Sequence, residues 1–486
     1  MPLAAVAQNE PPQDPLAAIE DALEDGKAAR ARELAQAMLA DDELPRDMRG
    51  RLQFAIARSY LAQQDNAAAR AALDRAINLL DDAAAARYER FKLAFMVEDW
   101  PVVAADLTAV ARRMPHRARG VDAAAVLRIR DGAEAAGAEE RAFEMLLALA
   151  EIDYDGGGDD EARSDLIYFD LTRRLLERGR RFEAEQAVET IHSAETLAWM
   201  MVDRRFANLW SELDARYGNG AAALTGRALE HHTERMRASQ SHPVAVLDYI
   251  RALRRDGKPV PAANIGWRSV EEASAEAGNA GLQPIYRRIA AAVAAALVDA
   301  GETEQGLGLM QRIAMLDSAT APDVINHRID YADMLLQTGR FERAVEIAGR
   351  AAKPFVPPFG QIRIRQIAAC AQAMAGAGEA AAETAAAVLD APMVNPRATQ
   401  TLLLCLDRHD AGVKHMLARL DRDNEYRSEA LLALSPQDLS DLPSETLRTL
   451  HDRFAGIRRD PRVVERQQAL GRSLDYALRP QDWTAF

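Results

Sequence analysis

The sequence is organised by a helix-pair pattern that returns about every 38 residues. In the clearest copy, Ile56, Ala57 and Tyr60 share one face of a first helix. Ala69 and Leu73 share one face of a second helix. Small side chains allow two helices to approach closely, and larger ones fill the space beside them. One such pair cannot bury its own apolar face, so neighbouring copies must stack into a solenoid.

The turn inside each helix pair gives the register of the repeats. A glycine or a polar residue is predicted to end the first helix of each unit. The predicted turn residues are Gly26, Gln64, Glu98, Gly137 and Gly179, followed later by Gly301, Gly339 and Gly378. Five residues after each of the first five turns stand Ala31, Ala69, Val103, Ala142 and Ala184. Position-matched small residues are not expected from helical amphipathicity alone, so the repeat is specific.

These positions resemble those of the tetratricopeptide repeat family. The matching residues are Ala57, Tyr60, Ala69, Leu73 and Ala76 in the second unit, Asp99, Trp100, Leu107, Val110 and Pro115 in the third, and Tyr331, Ala332, Gly339, Arg340, Phe341, Ala344 and Ala351 in a later one. Most units exceed the roughly 34 residues of the family, so the repeats are divergent. The resemblance implies a right-handed superhelix of antiparallel helix pairs with a concave groove that binds ligands.

Composition agrees with a helical fold. Hydrophobic residues make up 49% of the chain and aromatic residues only 6%, while alanine is abundant. Alanine favours helices, and strands need β-branched and aromatic residues that this chain does not group together. The predicted fold class is therefore all-α, an α-solenoid of antiparallel helix pairs with an irregular middle and a helical C-terminal cap.

The repeat pattern divides the chain into five predicted regions. Prolines at 243, 259 and 261 interrupt the pattern in the middle, where we expect an insertion or a hinge between two arrays. The regions are 1–14, a disordered N-terminus; 15–193, an N-terminal TPR-like array; 194–281, an irregular helical insertion or hinge; 282–392, a second TPR-like array; and 393–486, a C-terminal helical cap.

Charge and motifs restrict the classes of function. The formal net charge of −14 repels phosphate backbones, so nucleic acid is not expected as the main partner. No apolar run approaches the roughly 18 residues that suggest a membrane span. Phosphate-binding glycine loops and nucleophile motifs are absent from the sequence. We therefore expect a non-enzymatic scaffold or adaptor, without a cofactor or a metal, that binds a protein partner of unknown identity.

The resemblance implies that the ligand contacts lie on the concave side of the first helices. Aromatic and arginine side chains dominate the energetics of many interfaces. The alternative is that some of these residues belong to the core of units whose boundaries are misplaced. We expect Phe54, Arg58, Tyr88 and Arg173 to be partly exposed and to face one groove. The candidate partner-binding residues are Phe54, Arg58, Tyr88, Lys92, Phe95, Phe169 and Arg173.

Two alternative functions remain open from the sequence. One is an exported, periplasmic TPR-like assembly factor of an envelope or polysaccharide-secretion machine. This hypothesis rests on Ala5-Val6-Ala7, which is similar to the end of a signal peptide. The protein is cytoplasmic if Met1 is the native start and periplasmic if residues 1–7 are the remnant of a signal peptide. The other alternative is an enzyme with its active site in segment 194–281.

The two cysteines bear on the same question of compartment. Cys370 and Cys405 both fall in apolar helical stretches, and two cysteines do not form a disulfide framework. We expect two inert buried thiols, and a single bond between them is left open.

Overall fold

The computed structural model describes residues 16–156, 161–239, 242–277, 282–317, 323–353, 355–480, 483, 484 and 486. The predicted disordered segment 1–14, which contains the Met1–Ala7 stretch, lies outside these residues. In the described ranges the secondary structure is helical, and β pairing is limited to two isolated bridges, Asp203 with Gly471 and Gln437 with Leu478. The predicted all-α class is confirmed.

The helices, numbered in chain order, are α1 (Ala17–Glu24), α2 (Ala28–Leu39), α3 (Arg46–Ala62), α4 (Asn66–Leu79), α5 (Ala84–Met96), α6 (Trp100–Arg113), α7 (Pro115–Arg119), α8 (Ala123–Ala135), α9 (Glu139–Ala150), α10 (Glu161–Glu177), α11 (Arg181–Glu189), α12 (Ala194–Val202), α13 (Trp210–Tyr217), α14 (Ala221–Ala238), α15 (Pro243–Arg255), α16 (Pro259–Ala277), α17 (Pro284–Asp299), α18 (Thr303–Ala314), α19 (Val324–Gln337), α20 (Phe341–Ala351), α21 (Pro358–Met374), α22 (Gly378–Leu389), α23 (Pro396–Cys405), α24 (His409–Leu420), α25 (Glu425–Ala433), α26 (Glu445–Arg459) and α27 (Pro461–Leu470). A 3₁₀ helix, Arg204–Leu209, lies between α12 and α13.

Internal contacts divide the chain into two compact units. Unit 1 is Met1–Ile167 and unit 2 is Tyr168–Phe486. Within unit 1, α3 packs on α4, α5 on α6, and α6 on α9. Within unit 2, the helices from α15 to α22 each pack on the next. Both units are therefore built from helix pairs that stack in chain order, as expected for an α-solenoid.

In the described part of the chain, the first helix of ten helix pairs ends in the same backbone turn. One residue takes a left-handed conformation, with φ between +55° and +85°. The N–H of the next residue donates to the carbonyl five residues earlier at 2.8–3.0 Å. This Schellman geometry satisfies a carbonyl at the end of the helix. The left-handed residues are Gly26, Gln64, Glu98, Gly137, Gly179, Gly257, Gly301, Gly339, Gly376 and Asp407.

One predicted turn is wrong and two were not predicted. Gly376, with φ +82°, makes the turn that the sequence analysis assigned to Gly378, which instead begins α22. Gly257 and Asp407 make the two additional turns. Pro243 is the first residue of α15, where the missing proline N–H costs nothing because that group has no intrahelical partner. From the sequence, Pro243 was predicted only to interrupt the repeat.

A small, buried residue follows each of these turns at the fifth position. It lies in the first two turns of the second helix, where the two helices of the pair approach each other. Ala69 and Ala344, for example, both have a relative exposed surface of 0%. The ten residues are Ala31, Ala69, Val103, Ala142, Ala184, Ala262, Gly306, Ala344, Ala381 and Gly412.

The cysteines are joined, and the expectation of two free thiols is wrong. Cys370 of α21 and Cys405 of α23 form a disulfide, with their Cα atoms 5.1 Å apart. Both residues are buried. The physical reason is that α21 and α23 pack directly on each other. This packing brings together two positions that are 35 residues apart in the sequence.

The C-terminal part of unit 2 returns to the beginning of the same unit. Arg472 donates from Nη1 and Nη2 to the two carboxylate oxygens of Asp214, at 2.7 and 2.5 Å. Its Nε donates to the carbonyl of Met201 at 2.6 Å. Trp483 donates from Nε1 to Asp299 Oδ1 at 3.0 Å. The region predicted as a cap therefore also contacts α12, α13 and α17.

Candidate functional site

Helix α5 brings three of the predicted site residues together in unit 1. Tyr88, Lys92 and Phe95 are spaced by four and three residues, so they share one helical face. The Lys92 ammonium lies 5.2 Å from the centre of the Tyr88 ring, a cation–π contact, and also pairs with Glu89 at 2.5 Å. Tyr88 and Phe95 are half-buried and Lys92 is exposed.

The aromatic rings on this face continue into α6. Ring centres are 6.2 Å apart from Tyr88 to Phe91, 6.2 Å from Phe91 to Phe95, and 5.6 Å from Phe95 to Trp100. We call Tyr88, Phe91, Phe95 and Trp100 the α5 strip. The Arg128 guanidinium lies 5.4 Å from the Phe95 ring centre and 5.1 Å from that of Trp100. The strip is therefore a row of rings bordered by cations.

Two exposed apolar side chains extend the α5 strip at the end of its helix. Met96 is 61% exposed and Val97 is 66% exposed. Both follow Phe95 directly in the sequence, and Val97 caps α5. Tyr88, Phe95 and Trp100 are half-buried, and Phe91 is buried beneath them. Half-buried rings, arginine and exposed apolar side chains together are characteristic of protein-binding surfaces.

The two predicted residues on α3 have structural contacts of their own. Phe54 is half-buried and packs against the hydrophobic core of unit 1. Arg58 pairs with Glu20 of α1, with Nη1 and Oε2 2.5 Å apart. Both remain partly exposed, as expected. Whether they contact a partner stays a prediction.

The remaining two predicted residues, on α10 in unit 2, are buried. Phe169 is 2% exposed, and its ring centre lies 4.9 Å from that of Phe206. Arg173 is 8% exposed, so the expectation that it is partly exposed is wrong. Burial opposes the charge of Arg173, but Asp170 and Glu177, both hydrogen-bonded to it at 2.6 Å, raise its pKa. This satisfied network explains how a buried arginine is accommodated.

Unit 2 contains a polar cavity of about 510 Å³ that the sequence analysis did not predict. Its walls come from the first helices of successive pairs, α15, α17 and α19, together with the N-terminal ends of α12 and α23. Three arginines and four carboxylates face it, beside smaller apolar surfaces. The lining residues are Glu195, Arg251, Arg254, Ala295, Val298, Asp299, Asp330, Asp333, Met334, Gln337, Arg397 and Trp483.

Ion pairs between helices fix the walls of this polar cavity. Arg254 Nε donates to Asp299 Oδ2 at 2.8 Å, which joins α15 to α17. Asp333 accepts from Gln337 and from Arg363, each at 2.7 Å. Because both carboxylates are held by neighbouring donors, their positions are set before any ligand enters.

A smaller cavity of about 40 Å³ adjoins the polar cavity and shares Glu195 and Arg397 with it. Glu195 accepts from Arg255 Nη2 at 2.8 Å, and its other oxygen lies 3.5 Å from Arg397 Nη2. Arg397 Nε also donates to Glu429. The lining residues are Glu195, Trp199, Arg255, Arg397, Glu429, Leu432, Ala433, Pro436, Gln437, Leu478, Arg479 and Pro480.

A signal in the sequence does lead to this cavity. Arg58, Lys92 and Arg173 stand six residues before their turns at positions 64, 98 and 179. The same count from the turns at 257, 301 and 339 gives Arg251, Ala295 and Asp333, all of which line the polar cavity. The turn at Gly257, which the sequence did not reveal, is the one that Arg251 precedes. Whether this position binds a partner stays a prediction.

The helix pairs that stack within each unit define the protein as a helical-repeat protein of the α-solenoid class. None of the helices in the described ranges is long and apolar enough to cross a membrane. No grouping of His, Cys, Asp and Glu suited to a metal ion occurs among the residues that the structure describes.

Comparisons with known proteins add little to this description. No protein-family model matches the chain, and no curated protein matches it. Among solved structures, it is similar to a circular tandem repeat protein with novel repeat topology and enhanced subunit contact surfaces. That match covers 94% of this chain and 90% of the other, at 16% identity and a TM-score of 0.14. With so low a TM-score, the similarity does not inform the sites.

Proposed function

We propose that this protein is a non-enzymatic scaffold or adaptor with divergent TPR-like repeats, and that it binds a protein partner through the α5 strip. The observation that carries the proposal is the row of rings from Tyr88 to Trp100, with Met96 and Val97 exposed beside it. Large rings held in place lose little conformational entropy on binding and supply much of the contact area. A partner with apolar side chains fits this surface.

The flanking cations indicate the character of that partner. Lys92, Arg117 and Arg128 lie within 5.5 Å of the ring centres of the strip. Lys92 pairs with Glu89 and Arg128 with Glu98. A partner segment that combines apolar side chains with a carboxylate would complement the rings and Arg117. In the same proposal, Phe54 and Arg58 extend the contact onto α3.

The test compares variants of the strip with a matched exposed aromatic residue elsewhere. Partners are isolated from the native source with the intact protein, purified, and titrated against it by calorimetry. Tyr88→Ala and Met96→Ser should each weaken the complex by more than tenfold, because buried interface anchors often contribute about 2 kcal/mol. Phe182→Ala removes an aromatic side chain that is 70% exposed on α11 and should leave the affinity unchanged.

The melting midpoint separates a binding defect from a folding defect. Met96→Ser changes an exposed side chain, so it should leave the midpoint unchanged. Unaltered affinity in both strip variants, measured on folded protein, would exclude the α5 strip as the binding surface.

One observation favours the exported form of this scaffold, a periplasmic assembly factor of an envelope or polysaccharide-secretion machine. Disulfides persist in oxidising compartments and are rare in the cytosol, and Cys370 and Cys405 are bonded. The test is alkylation of free thiols in protein taken directly from its native cells. If both cysteines are alkylated, the protein is the cytoplasmic form. If neither is alkylated, the exported form is supported.

A further inference from the structure

In unit 2, exposed apolar side chains recur in the loops that join successive helix pairs. Leu316 follows α18, Phe355 follows α20 and Val394 follows α22. They are 40%, 72% and 40% exposed, and each stands 39 residues after the one before. Phe359, in the first turn of α21, is 55% exposed beside the middle loop. Single exposed apolar residues are common, but their recurrence at the repeat length indicates a binding surface.

The stacking of unit 2 places these side chains in one row. Helices α19, α21 and α23 are the first helices of successive pairs, and α21 packs directly on both of the others. Because successive helices alternate in direction, the N-terminal ends of these three lie at one edge of the stack, and each loop leads into one of them. Axes of packed helices are about 8–10 Å apart, so neighbouring members of the row are separated by roughly that distance. We call Leu316, Phe355, Phe359 and Val394 the apolar row.

The apolar row has the same order of side chains from either end. The aromatic ring of Phe355 stands in the middle, and an aliphatic side chain, Leu316 or Val394, stands at each end. A two-fold axis through the middle pairs Phe355 with Phe355 of a second copy, and Leu316 with Val394 of that copy. Such an isologous contact uses the same surface on both copies and closes at two subunits.

The charges at the two ends of the row are complementary in the same arrangement. Arg312 lies in the last turn of α18, near Leu316, and Asp390 caps α22, shortly before Val394. Both side chains are exposed, and neither is paired with another side chain among the described residues. Antiparallel rows bring Arg312 of one copy towards Asp390 of the other, once on each side of the axis.

The other charges near the row do not oppose this arrangement strongly. Arg350 pairs with Glu346 at 2.7 Å, and Asp317 has an interaction of its own. Lys353, beside Phe355, comes near its own copy, but its long stem lets the ammonium stay in water. The formal net charge of −14 repels a second copy, although charges separated by more than about 8 Å are largely screened at physiological ionic strength.

We propose that a second copy of this chain covers the apolar row, in a two-fold symmetric dimer with antiparallel rows and Phe355 at the axis. If a phenylalanine side chain presents roughly 200 Å², Phe355 and Phe359 together expose about 250 Å². A stable interface buries about 800 Å² on each partner, so this dimer is weak and forms at high protein concentration. It goes beyond the proposed scaffold function, because it uses no residue of unit 1 and no second protein.

The experiment measures the association of the full chain by analytical ultracentrifugation at increasing concentration and physiological ionic strength. We expect a monomer–dimer equilibrium without larger species, because the contact closes at two subunits. Phe355→Ser should weaken the dimer at least tenfold. Phe182→Ser, which changes a side chain that is 70% exposed on α11, is the matched control and should leave association unchanged. Both variants should keep the melting midpoint, since both side chains are exposed.

Reversing the charges at the ends of the row tests the antiparallel arrangement. Arg312→Glu and Asp390→Lys should each weaken association about fivefold, because exposed ion pairs contribute little individually and the dimer contains two. The variant with both changes should associate as the unchanged protein does, since each pair forms again with its signs exchanged. Rescue of this kind is not expected if either change merely disturbs the fold. Two single effects that add up in the double variant would contradict the pairing.

Cysteine cross-linking locates the axis. Under mild oxidation, Phe355→Cys should form a disulfide between two copies, whereas Phe182→Cys should not. Leu316→Cys and Val394→Cys should cross-link with each other when mixed, and far less when either is alone. The proposal is overturned if the protein is monomeric at every concentration, or if Phe355→Ser leaves the dimer unchanged. A monomer that binds phosphatidylcholine vesicles through Phe355 would also overturn it, and would assign the row to a membrane surface.

Discussion

At the scale of single residues, the close approach of paired helices depends on glycines, which have no side chain at the point of contact. A Cβ atom on Gly306 would lie 2.6 Å from the carbonyl oxygen of Ala294, on the preceding helix. Gly308, on the same helix, has open space around the equivalent position. Gly306 is therefore required by the packing of the two helices, whereas Gly308 only lowers the helix propensity of α18.

Replacing these two glycines by alanine should change stability in opposite directions. Gly306→Ala should lower the free energy of unfolding by about 1–3 kcal/mol, because backbone atoms must move apart. Gly308→Ala should raise it by about 0.5–1 kcal/mol, since alanine is the better helix former. Urea unfolding of both variants checks this. A stabilised Gly306→Ala variant would mean that α17 and α18 are not held at this distance.

Buried histidines make the fold sensitive to acid. His415 of α24 is buried, and its Nε2 lies 2.9 Å from the carbonyl oxygen of Pro396, to which it donates. Burial lowers the pKa of His415 to about 4. The unfolded chain takes up a proton below about pH 6.5, whereas the folded chain does so only near pH 4. The contribution of His415 to stability is thus constant above pH 6.5 and falls as the pH drops from 6.5 to 4.

The expected loss through His415 is about 1.4 kcal/mol for each pH unit in that window. His415→Gln, which retains a donor but cannot take up a proton, should flatten the dependence of stability on pH between 6.5 and 4. His116→Gln removes an exposed histidine and should not change it. Urea midpoints at pH 7, 6, 5 and 4 provide the comparison. Parallel curves for both variants would place the acid sensitivity elsewhere.

At the scale of helices, the disulfide links the first helices of two successive pairs. It closes a loop of 35 residues between α21 and α23. In the chain-entropy account, such a cross-link stabilises by about 3–4 kcal/mol, because it restricts the unfolded chain. The variant with Cys370→Ala and Cys405→Ala should therefore unfold at clearly lower urea. A reductant added during unfolding should lower the urea midpoint of the unchanged protein and leave that of the double variant as it is. If the two proteins have the same midpoint without reductant, the disulfide is contradicted.

The positions of the helices and their turns could be predicted from the sequence, but which helices pack against each other could not. Small residues and turn residues act on their immediate neighbours, so Gly26, Gln64 and Ala69 were identifiable from spacing alone. Gly378 was mistaken for a turn because Gly376, two residues earlier, also permits the left-handed conformation. The pairing of Cys370 with Cys405 depends on which helices become neighbours, and no local pattern encodes that.

The candidate sites show the same limit. The α5 strip follows one helix, so helical spacing alone grouped Tyr88, Lys92 and Phe95. The burial of Arg173 could not be predicted, because it depends on the elements that pack around α10, whereas its partners Asp170 and Glu177 are on the same helix. The cavity in unit 2 needs Glu195 and Arg397 side by side, although 202 residues separate them. Only the folded chain brings these two together.

At the scale of the whole molecule, unit 2 is held by contacts between the segment that follows α27 and helices α12 and α13 near the start of the unit. Arg472 contacts both oxygens of Asp214, 258 residues away, and its guanidinium lies 4.3 Å from the Trp210 ring centre. A linear solenoid has only neighbour contacts, and its ends open independently. A unit whose ends are joined should open at both ends together.

Replacing Arg472 by alanine should therefore expose two distant segments at once. In hydrogen exchange, α12 and α13 should lose protection together with residues 471–480, while helices of unit 1 keep theirs. Arg466→Ala is the matched control, since Arg466 also contacts an aspartate through two nitrogens, but Asp421 is only 45 residues away. That variant should affect its own neighbourhood alone. If Arg472→Ala loosens residues 471–480 and leaves α12 and α13 protected, the ends of unit 2 are independent, and its cavities are not closed by the contact that Arg472 makes.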